Sequence, residues 1–387
     1  MINKIKITNF LCFSAISAEV DIRDLNVIIG RNGSGKSSFI KAIDLLRSAP
    51  SASSFASDIK GGRASDWLYK GYPGCEPATI EYTLANVDQD SADLFPEVKY
   101  TLSFSSENGE FVILSEKLAG LSSHEDAVFY DSNNGFPLAR VDGELIQLKS
   151  EAFDPTQSFF SQLRDPTKYV LITKLARAIE SIKIYGTWHL GPNPVLSQAQ
   201  TINASENVLQ ADYHNMPQLL KSFESLDAKK AIIEDLQFFR KELEDYTVVA
   251  DNGADQVWIK EKGLCHPVTL LSNGMFRYLS FLSIFRNPTL PPLICIEDPE
   301  LGLHPSLLPF IGNIMKSVSS QNCKIIVATH STELVNAYAE TPEYVLVAEK
   351  DLEGAWISRL VKEELSLGEN TLGELCNREQ TRGLCKP

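Results

Sequence analysis

Gly30-Arg31-Asn32-Gly33-Ser34-Gly35-Lys36-Ser37 satisfies G-x-x-x-x-G-K-[ST] at every fixed position, and no other segment constrains the fold as strongly. The motif needs a strand feeding a glycine turn and a helix leaving it. Leu25-Asn26-Val27-Ile28-Ile29 is a short apolar run that reads as a buried strand, and Ser38–Leu46 sets Phe39, Ile40, Ile43 and Leu46 on one helical face. A glycine-rich turn that matched by chance would lack both neighbours. Glycines let backbone N–H groups close around phosphate oxygens, and the helix N-terminus adds a favourable dipole. The expected ligand is therefore a nucleoside triphosphate with Mg²⁺. Its contacts are expected from Gly30, Asn32, Gly33, Ser34, Gly35 and Ser38, with Lys36 on the β- and γ-phosphates and the Ser37 hydroxyl on the metal.

The chain has 387 residues, 43% of them hydrophobic and 22% charged, which suits one large soluble domain or two to three smaller ones. No apolar run approaches the length of a membrane span. MINKIKITNF lacks the apolar core and cleavage site of a signal peptide, so no membrane partner is expected. Seven scattered cysteines include no C-x-x-C pair, which argues against structural zinc and a disulfide framework and places the chain in a reducing cytoplasm. A net charge of −14 argues against a general polyanion binder. One local basic run, Arg164, Lys168, Lys174, Arg177 and Lys183, contains only Asp165 and Glu180 as acids. It reads first as a solvated helix face and second as a DNA-contacting strip.

Ile2–Thr8 alternates apolar and polar residues and is expected to pair with Ala18–Ile22 as a hairpin. Ser48–Ser57 is a small-residue linker. Short β-rich runs between Ala78 and Val141, broken by Glu107-Asn108-Gly109 and Asn133-Asn134-Gly135, predict an antiparallel sheet. Leu163–Lys183 and Met216–Tyr246 read as helices and Val257–Lys260 as a strand. Beyond them, helices at Met275–Phe285, Leu307–Val318 and Thr332–Ala339 alternate with strands at Leu293–Ile296 and Lys324–Ala328, followed by a strand at Tyr344–Ala348. The fold class is α/β: a mostly parallel core sheet, an antiparallel β subdomain and a helical insertion, with no long coiled coil. The expected lobes are 1–150, 151–250 and 251–387, parts of one composite domain.

Leu293-Ile294-Cys295-Ile296-Glu297-Asp298 is an apolar strand ending in two carboxylates. Ligands of open parallel sheets sit at the carboxyl ends of strands. Position gives Glu297 the metal role and Asp298 the role of base to the attacking water; the plainer reading is a strand end with two solvated acids. Lys324–His330 delivers His330 to the same edge, where a neutral imidazole can donate to the γ-phosphate. Leu270-Leu271-Ser272-Asn273-Gly274-Met275-Phe276-Arg277 precedes a helix, with Ser272 as its N-cap. Beyond capping, the Ser272 hydroxyl, the Gly274 N–H and the helix N-terminus would form a second anion site for the γ-phosphate of a nucleotide held elsewhere.

These elements, in this order, resemble the ATP-binding-cassette superfamily: Walker A, a signature motif, Walker B with its catalytic acid, and the switch histidine. Ile5–Phe10, Glu297–Pro305 and Ala328–Ser331 are similar to the RecF/SMC-like branch. Within that branch the chain resembles the stand-alone ATPases known as AAA family ATPases, relatives of the ATPase subunits of Septu and retron antiphage systems. Asp66–Gly71 and Thr371–Leu375 join the resemblance, which is strongest over 1–46 and 264–350. It implies a homodimer, or a higher even oligomer, whose heads sandwich ATP. Ser272 and Gly274 would then touch the γ-phosphate on the partner's P-loop, and Leu301–His304 would cross the interface. Three departures stand out. The acid pair is Glu-Asp rather than the commoner Asp-Glu, Leu11 replaces a usual basic residue, and Gln89 is a poor match to the family's glutamine loop.

The leading expectation is a slow, dimerising ATPase that gates a nucleic-acid-directed process, in antiphage defence, with a separate nuclease or effector partner. No acid cluster after His330 marks a nuclease of its own. The alternatives are a RecF-like repair ATPase that binds DNA or RNA and a regulatory module with negligible turnover. The long stretch between Lys36 and Ser272 disfavours a transporter subunit.

Overall fold

The computed structural model describes residues 1–16, 18–51, 63–71, 77–122, 126–133, 135–186, 207–224, 227–251, 254–268, 272–362 and 371–377. Most of the Ser48–Ser57 linker, and Leu270 and Leu271 of the signature segment, lie outside these residues. The chain begins with β1 (Ile2–Thr8), β2 (Ala18–Asp21), β3 (Leu25–Ile29) and helix α1 (Lys36–Ser48). There follow β4 (Ala78–Ala85), β5 (Glu97–Glu107), β6 (Glu110–Leu121), β7 (Ala127–Asn133), β8 (Phe136–Val141), β9 (Glu144–Gln147) and α2 (Val170–Glu180). The middle carries β10 (Lys183–Tyr185), α3 (Met216–Ser222), α4 (Asp227–Phe239), β11 (Leu243–Asp251), β12 (Ala254–Glu261) and β13 (Leu264–Pro267). Last come α5 (Asn273–Phe285), β14 (Leu293–Glu297), α6 (Leu308–Ser319), β15 (Lys324–Thr329), α7 (Thr332–Asn336), β16 (Val345–Lys350) and β17 (Ala355–Arg359).

Two compact units result. The first comprises Met1–Ile182, Thr341–Asn370 and Glu374–Pro387, and the second comprises Lys183–Glu340 and Thr371–Gly373. In the first unit the expected β1–β2 hairpin forms, with Ile5 opposite Val20. It opens an antiparallel sheet in the order β2-β1-β4-β5-β6-β7-β8-β9. Strict alternation in β4 puts Ala78, Ile80, Tyr82 and Leu84 on the buried face. That face receives α1, whose Phe39, Ile40, Ile43 and Leu46 are all buried, and the Tyr82 hydroxyl donates to the Ala42 carbonyl at 2.6 Å. The same unit pairs β3 with β16 in parallel, and β16 with β17 antiparallel.

The second unit sets β10, β14 and β15 in parallel register, with Ile296 opposite both Tyr185 and Val327. It also holds the antiparallel sheet β11-β12-β13. Among the described residues no helix exceeds 13 residues, so no long coiled coil forms, and none is long and apolar enough to cross a membrane.

Two expected helices are shorter than the apolar spacing implies. Leu163–Lys183 is helical only from Val170 to Glu180. Pro166 breaks a helix that would run on from Leu163, Asp165 accepts from the Thr167 N–H at 2.9 Å in a turn, and Lys183 already belongs to β10. Met216–Tyr246 breaks into α3 and α4, and Tyr246 lies in β11 opposite Ile259. The β-branched run Thr247-Val248-Val249 is the competing signal.

Glu116 on β6 is buried among Tyr100, Tyr130, Phe159 and Phe160. It accepts from the Tyr100 hydroxyl at 2.5 Å, the Phe159 N–H at 2.9 Å and the Ser158 hydroxyl, so it ties the Phe159–Gln162 turn of helix to the sheet. Burial raises its carboxyl from 4.5 to about 7, against the pull of those three donors. A carboxyl raised in the folded state leaves stability whole below its unfolded value and erodes it as pH rises through the folded one. The unfolding free energy of the unchanged chain, from urea titration, is therefore expected to fall as pH rises from 4.5 through about 7, by on the order of a few kcal/mol. Glu116→Gln should flatten that slope. An equal slope in the variant would assign the pH dependence elsewhere.

Candidate nucleotide-binding site

In the first unit β3 is buried along its whole length and ends at Gly30. A Cβ on Gly30 would lie 2.3 Å from the Ala348 carbonyl oxygen of β16 and 2.6 Å from Ser34 Oγ, so only glycine lets the turn begin there. Gly33 (φ +77°) and Gly35 (φ +110°) take left-handed backbone. Gly35 also packs against Cys12, and the Cys12 carbonyl accepts from the Ala355 N–H at 2.9 Å, which fixes the Phe10–Ser14 turn beside the loop. Leu11, the departure from the family's basic residue, sits in that turn with φ 52°.

The loop fits a phosphate chain. No side chain caps the N-terminus of α1, and its first turn carries no acid. Ser34 Oγ is buried without a hydrogen-bond partner among the described residues. Lys36 is buried, and its ammonium donates to the carbonyls of Gly30 at 2.7 Å and Arg31 at 3.1 Å. Ser37, whose hydroxyl is the expected metal ligand, is exposed, as are Asn32 and Gly33, while Ser38 is half-buried.

Ser272, Gly274, Glu297, Asp298 and His330, also singled out by the sequence, lie in the second unit. Glu297 closes β14, and its carboxylate lies so close to Gly186 that a Cβ there would meet Oε1 at 3.1 Å. Asp298 turns left-handed (φ 46°), and its N–H donates to the Ala328 carbonyl at 2.8 Å. Its Oδ1 stands 3.9 Å from Nε2 of His330, which leaves β15 at the same end. The two adjacent strands thus bring Asp298 and His330 together, as their sequence positions imply.

Ser272 is the N-cap of α5, accepting from the Met275 N–H at 3.4 Å. Gly274 has a packing reason as well: a Cβ there would sit 2.8 Å from the Gly302 carbonyl oxygen in the loop after Asp298. Sequence reasoning passes over two residues here. Arg277 is 1% exposed and donates to the Asp298 carbonyl at 2.7 Å; burial lowers its guanidinium to about 10, while Tyr213, Glu300 and Asp298 pull it upward. Glu300 accepts from the Thr329 hydroxyl at 2.8 Å and the His330 N–H at 2.6 Å. An arginine inside an apolar helix is the available signal for the first; Glu300 has none beyond its place in the Asp298–Pro305 run.

The basic run disperses into ion pairs and different elements. Arg164 pairs with Glu180 at 2.6 Å, Lys174 pairs with Asp88 at 2.7 Å, and Lys183 belongs to a strand. Gln89 starts a single helical turn that contains Asp90.

The glycine geometry predicts unequal costs. Gly30→Ala is expected to lower unfolding free energy by about 2–3 kcal/mol, because the new methyl meets backbone and cannot be accommodated by a rotamer. Gly33→Ala has open space around it and only its left-handed backbone to strain, at about 1 kcal/mol. Urea titration of the two variants measures both, and equal losses would contradict the close approach of Gly30 to β16.

The AAA ATPase domain family matches residues 1–245, and the family described as "AAA domain, putative AbiEii toxin, Type IV TA system" matches residues 233–336. No curated protein matches the chain. Among solved structures, the SmcHead bound to the C-winged helix domain of ScpA shares the fold at TM-score 0.57 and 14% identity, over 94% of this chain and 99% of that one. The Smc head domain with an extended coiled coil, bound to the C-terminal domain of ScpA derived from Pyrococcus furiosus, does so at TM-score 0.56 and 13% identity, over 94% and 97%. Matched over well more than half its length, the chain belongs to the AAA ATPase domain family, and its fold is that of an SMC head.

Proposed function

We propose that this ATPase binds ATP with Mg²⁺, hydrolyses it slowly and dimerises around it. The observation that carries the reading is the P-loop itself: a buried hydroxyl at Ser34, a bare helix N-terminus and a lysine ammonium resting on backbone carbonyls. In this reading Lys36 exchanges its bonds to Gly30 and Arg31 for phosphate oxygens. The amides of Gly30, Asn32, Gly33, Ser34, Gly35 and Ser38 cradle the chain of phosphates. Mg²⁺, held by Ser37 and Glu297, would neutralise charge on the phosphates. Asp298 accepts a proton as water attacks the γ-phosphorus and ADP leaves, and His330 donates a hydrogen bond to the γ-phosphate. Asp298 is a methylene shorter than glutamate, which supports slow turnover.

Ser272 and Gly274 are assigned to the γ-phosphate bound by a second copy of the chain, with Leu301–His304 at that interface. Leu301 is exposed, in keeping with a surface awaiting a partner. The lobes 1–150, 151–250 and 251–387 would act as one composite ATPase domain. We place the protein in the cytoplasm, in antiphage defence, gating a separate nuclease or effector that acts on DNA or RNA. The toxin–antitoxin wording of the family matched at residues 233–336 supports that setting. Direct DNA contact through Arg164–Lys183 is the weaker reading, because Arg164 and Lys174 already face acids.

Lys36→Ala is expected to abolish ATP binding, whereas Asp298→Asn should keep binding, lose turnover and accumulate a dimer with ATP. Light scattering with and without ATP, beside a phosphate-release assay, checks both. Equal dimerisation of the two variants regardless of ATP would sink the sandwich arrangement.

A further inference from the structure

Asp298 and His330 are held by a set of backbone hydrogen bonds that the sequence motifs do not include. Arg277 donates to the Asp298 carbonyl, and the Asp298 N–H donates to the Ala328 carbonyl. Two residues on, Glu300 spans consecutive donors on the neighbouring strand end, the Thr329 hydroxyl and the His330 N–H. Thr329 Oγ1 accepts in turn from the Ser331 N–H at 2.9 Å, and the Ser331 hydroxyl caps α7 through the Leu334 N–H. Nearly every link grips backbone, so it fixes where a side chain starts rather than what that side chain touches.

We propose that Arg277 and Glu300 are positioning residues for ATP hydrolysis, setting the Asp298 carboxylate and the His330 imidazole through their main chains. The proposal rests on the hydrolytic reading above. An aspartate at φ 46° occupies a left-handed region that non-glycine residues rarely adopt, so its neighbours help to hold it there. Releasing the Asp298 carbonyl would let the residue relax toward right-handed or extended backbone, which swings its Cβ and redirects the carboxylate. Arg277 suits the task because its guanidinium stays charged at neutral pH, making the bond charge-assisted and independent of pH in that range. Glu300 does for β15 what Arg277 does for β14, and with two oxygens it fixes both the last strand residue and the first residue beyond it.

The brace also has a direction. Arg277 lies about one and a half helical turns from Ser272, the N-cap of α5, and Gly274 packs against Gly302, two residues beyond Glu300. A ligand that moved the N-terminus of α5 would therefore reach Asp298 through a single buried side chain and through the Gly302 loop. Signature helix and hydrolytic acid are one mechanical unit.

Turnover, ATP affinity and amide exchange on the full chain test this. Glu300→Ala and Arg277→Met are expected to lower kcat on the order of 10–100-fold while leaving ATP affinity within about twofold, because a misplaced reacting group costs rate rather than binding. Glu300→Gln, which keeps one acceptor, and Arg277→Lys, which keeps one donor, should recover most of the rate. Without nucleotide, the His330 amide should exchange faster in Glu300→Ala than in the unchanged chain. Unchanged kcat in Glu300→Ala and Arg277→Met overturns the positioning role and leaves hydrolysis standing. No turnover in the unchanged chain overturns the hydrolytic reading, and this one with it. Where Arg277→Met fails to fold, the Glu300 variants decide: equal kcat for alanine, glutamine and the unchanged residue overturns the proposal.

Discussion

A triphosphate can be held by backbone amides only if the helix that presents them is rigid while its first turn stays uncapped. The two demands oppose each other, since an uncapped helix end is the part most prone to fray. In this chain the conflict is resolved by distance along α1. Its N-terminus has no side-chain cap, while Phe39, Ile40, Ile43 and Leu46 are buried and the Tyr82 hydroxyl fixes the Ala42 carbonyl. The antiparallel sheet is therefore the anvil for the P-loop helix, and its buried aromatic layer bears on function through α1. Glu116 and the ring cluster around it stiffen that sheet further from the loop.

How much of this is legible in the sequence depends on whether a residue acts through a local pattern or through a distant partner. The P-loop, β14 and β15 are legible because their physics is local: a glycine spacing and two apolar runs of strand length. Their boundaries agree with the structure to within a residue or so. Tyr246 misleads because Met216–Tyr246 satisfies the helical period as well as a short strand does, and length alone does not separate them. Arg277 and Glu300 are out of reach for a different reason. Their partners are main-chain atoms 21 and 30 residues away, and side-chain-to-backbone bonds of that span leave no periodicity to read.

Charge tells a similar story. The net charge of −14 is informative as a bulk statement, but the basic run from Arg164 to Lys183 needs coordinates to interpret. Sequence neighbours on this stretch fall in a turn, a helix and a strand, so they do not form one helical face. Lys174 reaches back to Asp88, 86 residues earlier, and Arg164 meets Glu180 at the far end of α2. Exposed pairs of this kind contribute little stability, yet they set an acid beside two of the five cations a polyanion would need.

The glycines and the acids of the site share one logic, that of backbone held where it would not rest. Gly30 approaches β16 at a distance no side chain permits, and Gly274 does the same against Gly302. Asp298 adopts the left-handed turn without the freedom of glycine, and it does so between two hydrogen bonds to its own peptide groups. A glycine at 298 would relieve the strain but would remove the carboxylate. Under the proposed hydrolytic role, a side chain is wanted at a place where the backbone resists one. Strain alone does not identify a functional residue, because Asn9, Asn108 and Asn322 are left-handed too. What separates Asp298 is that a buried arginine, 1% exposed, is aligned on its carbonyl. Burying a guanidinium is costly, and Tyr213, Glu300 and Asp298 all favour its charge, so the bond to the Asp298 carbonyl is one part of what holds the arginine against this loop.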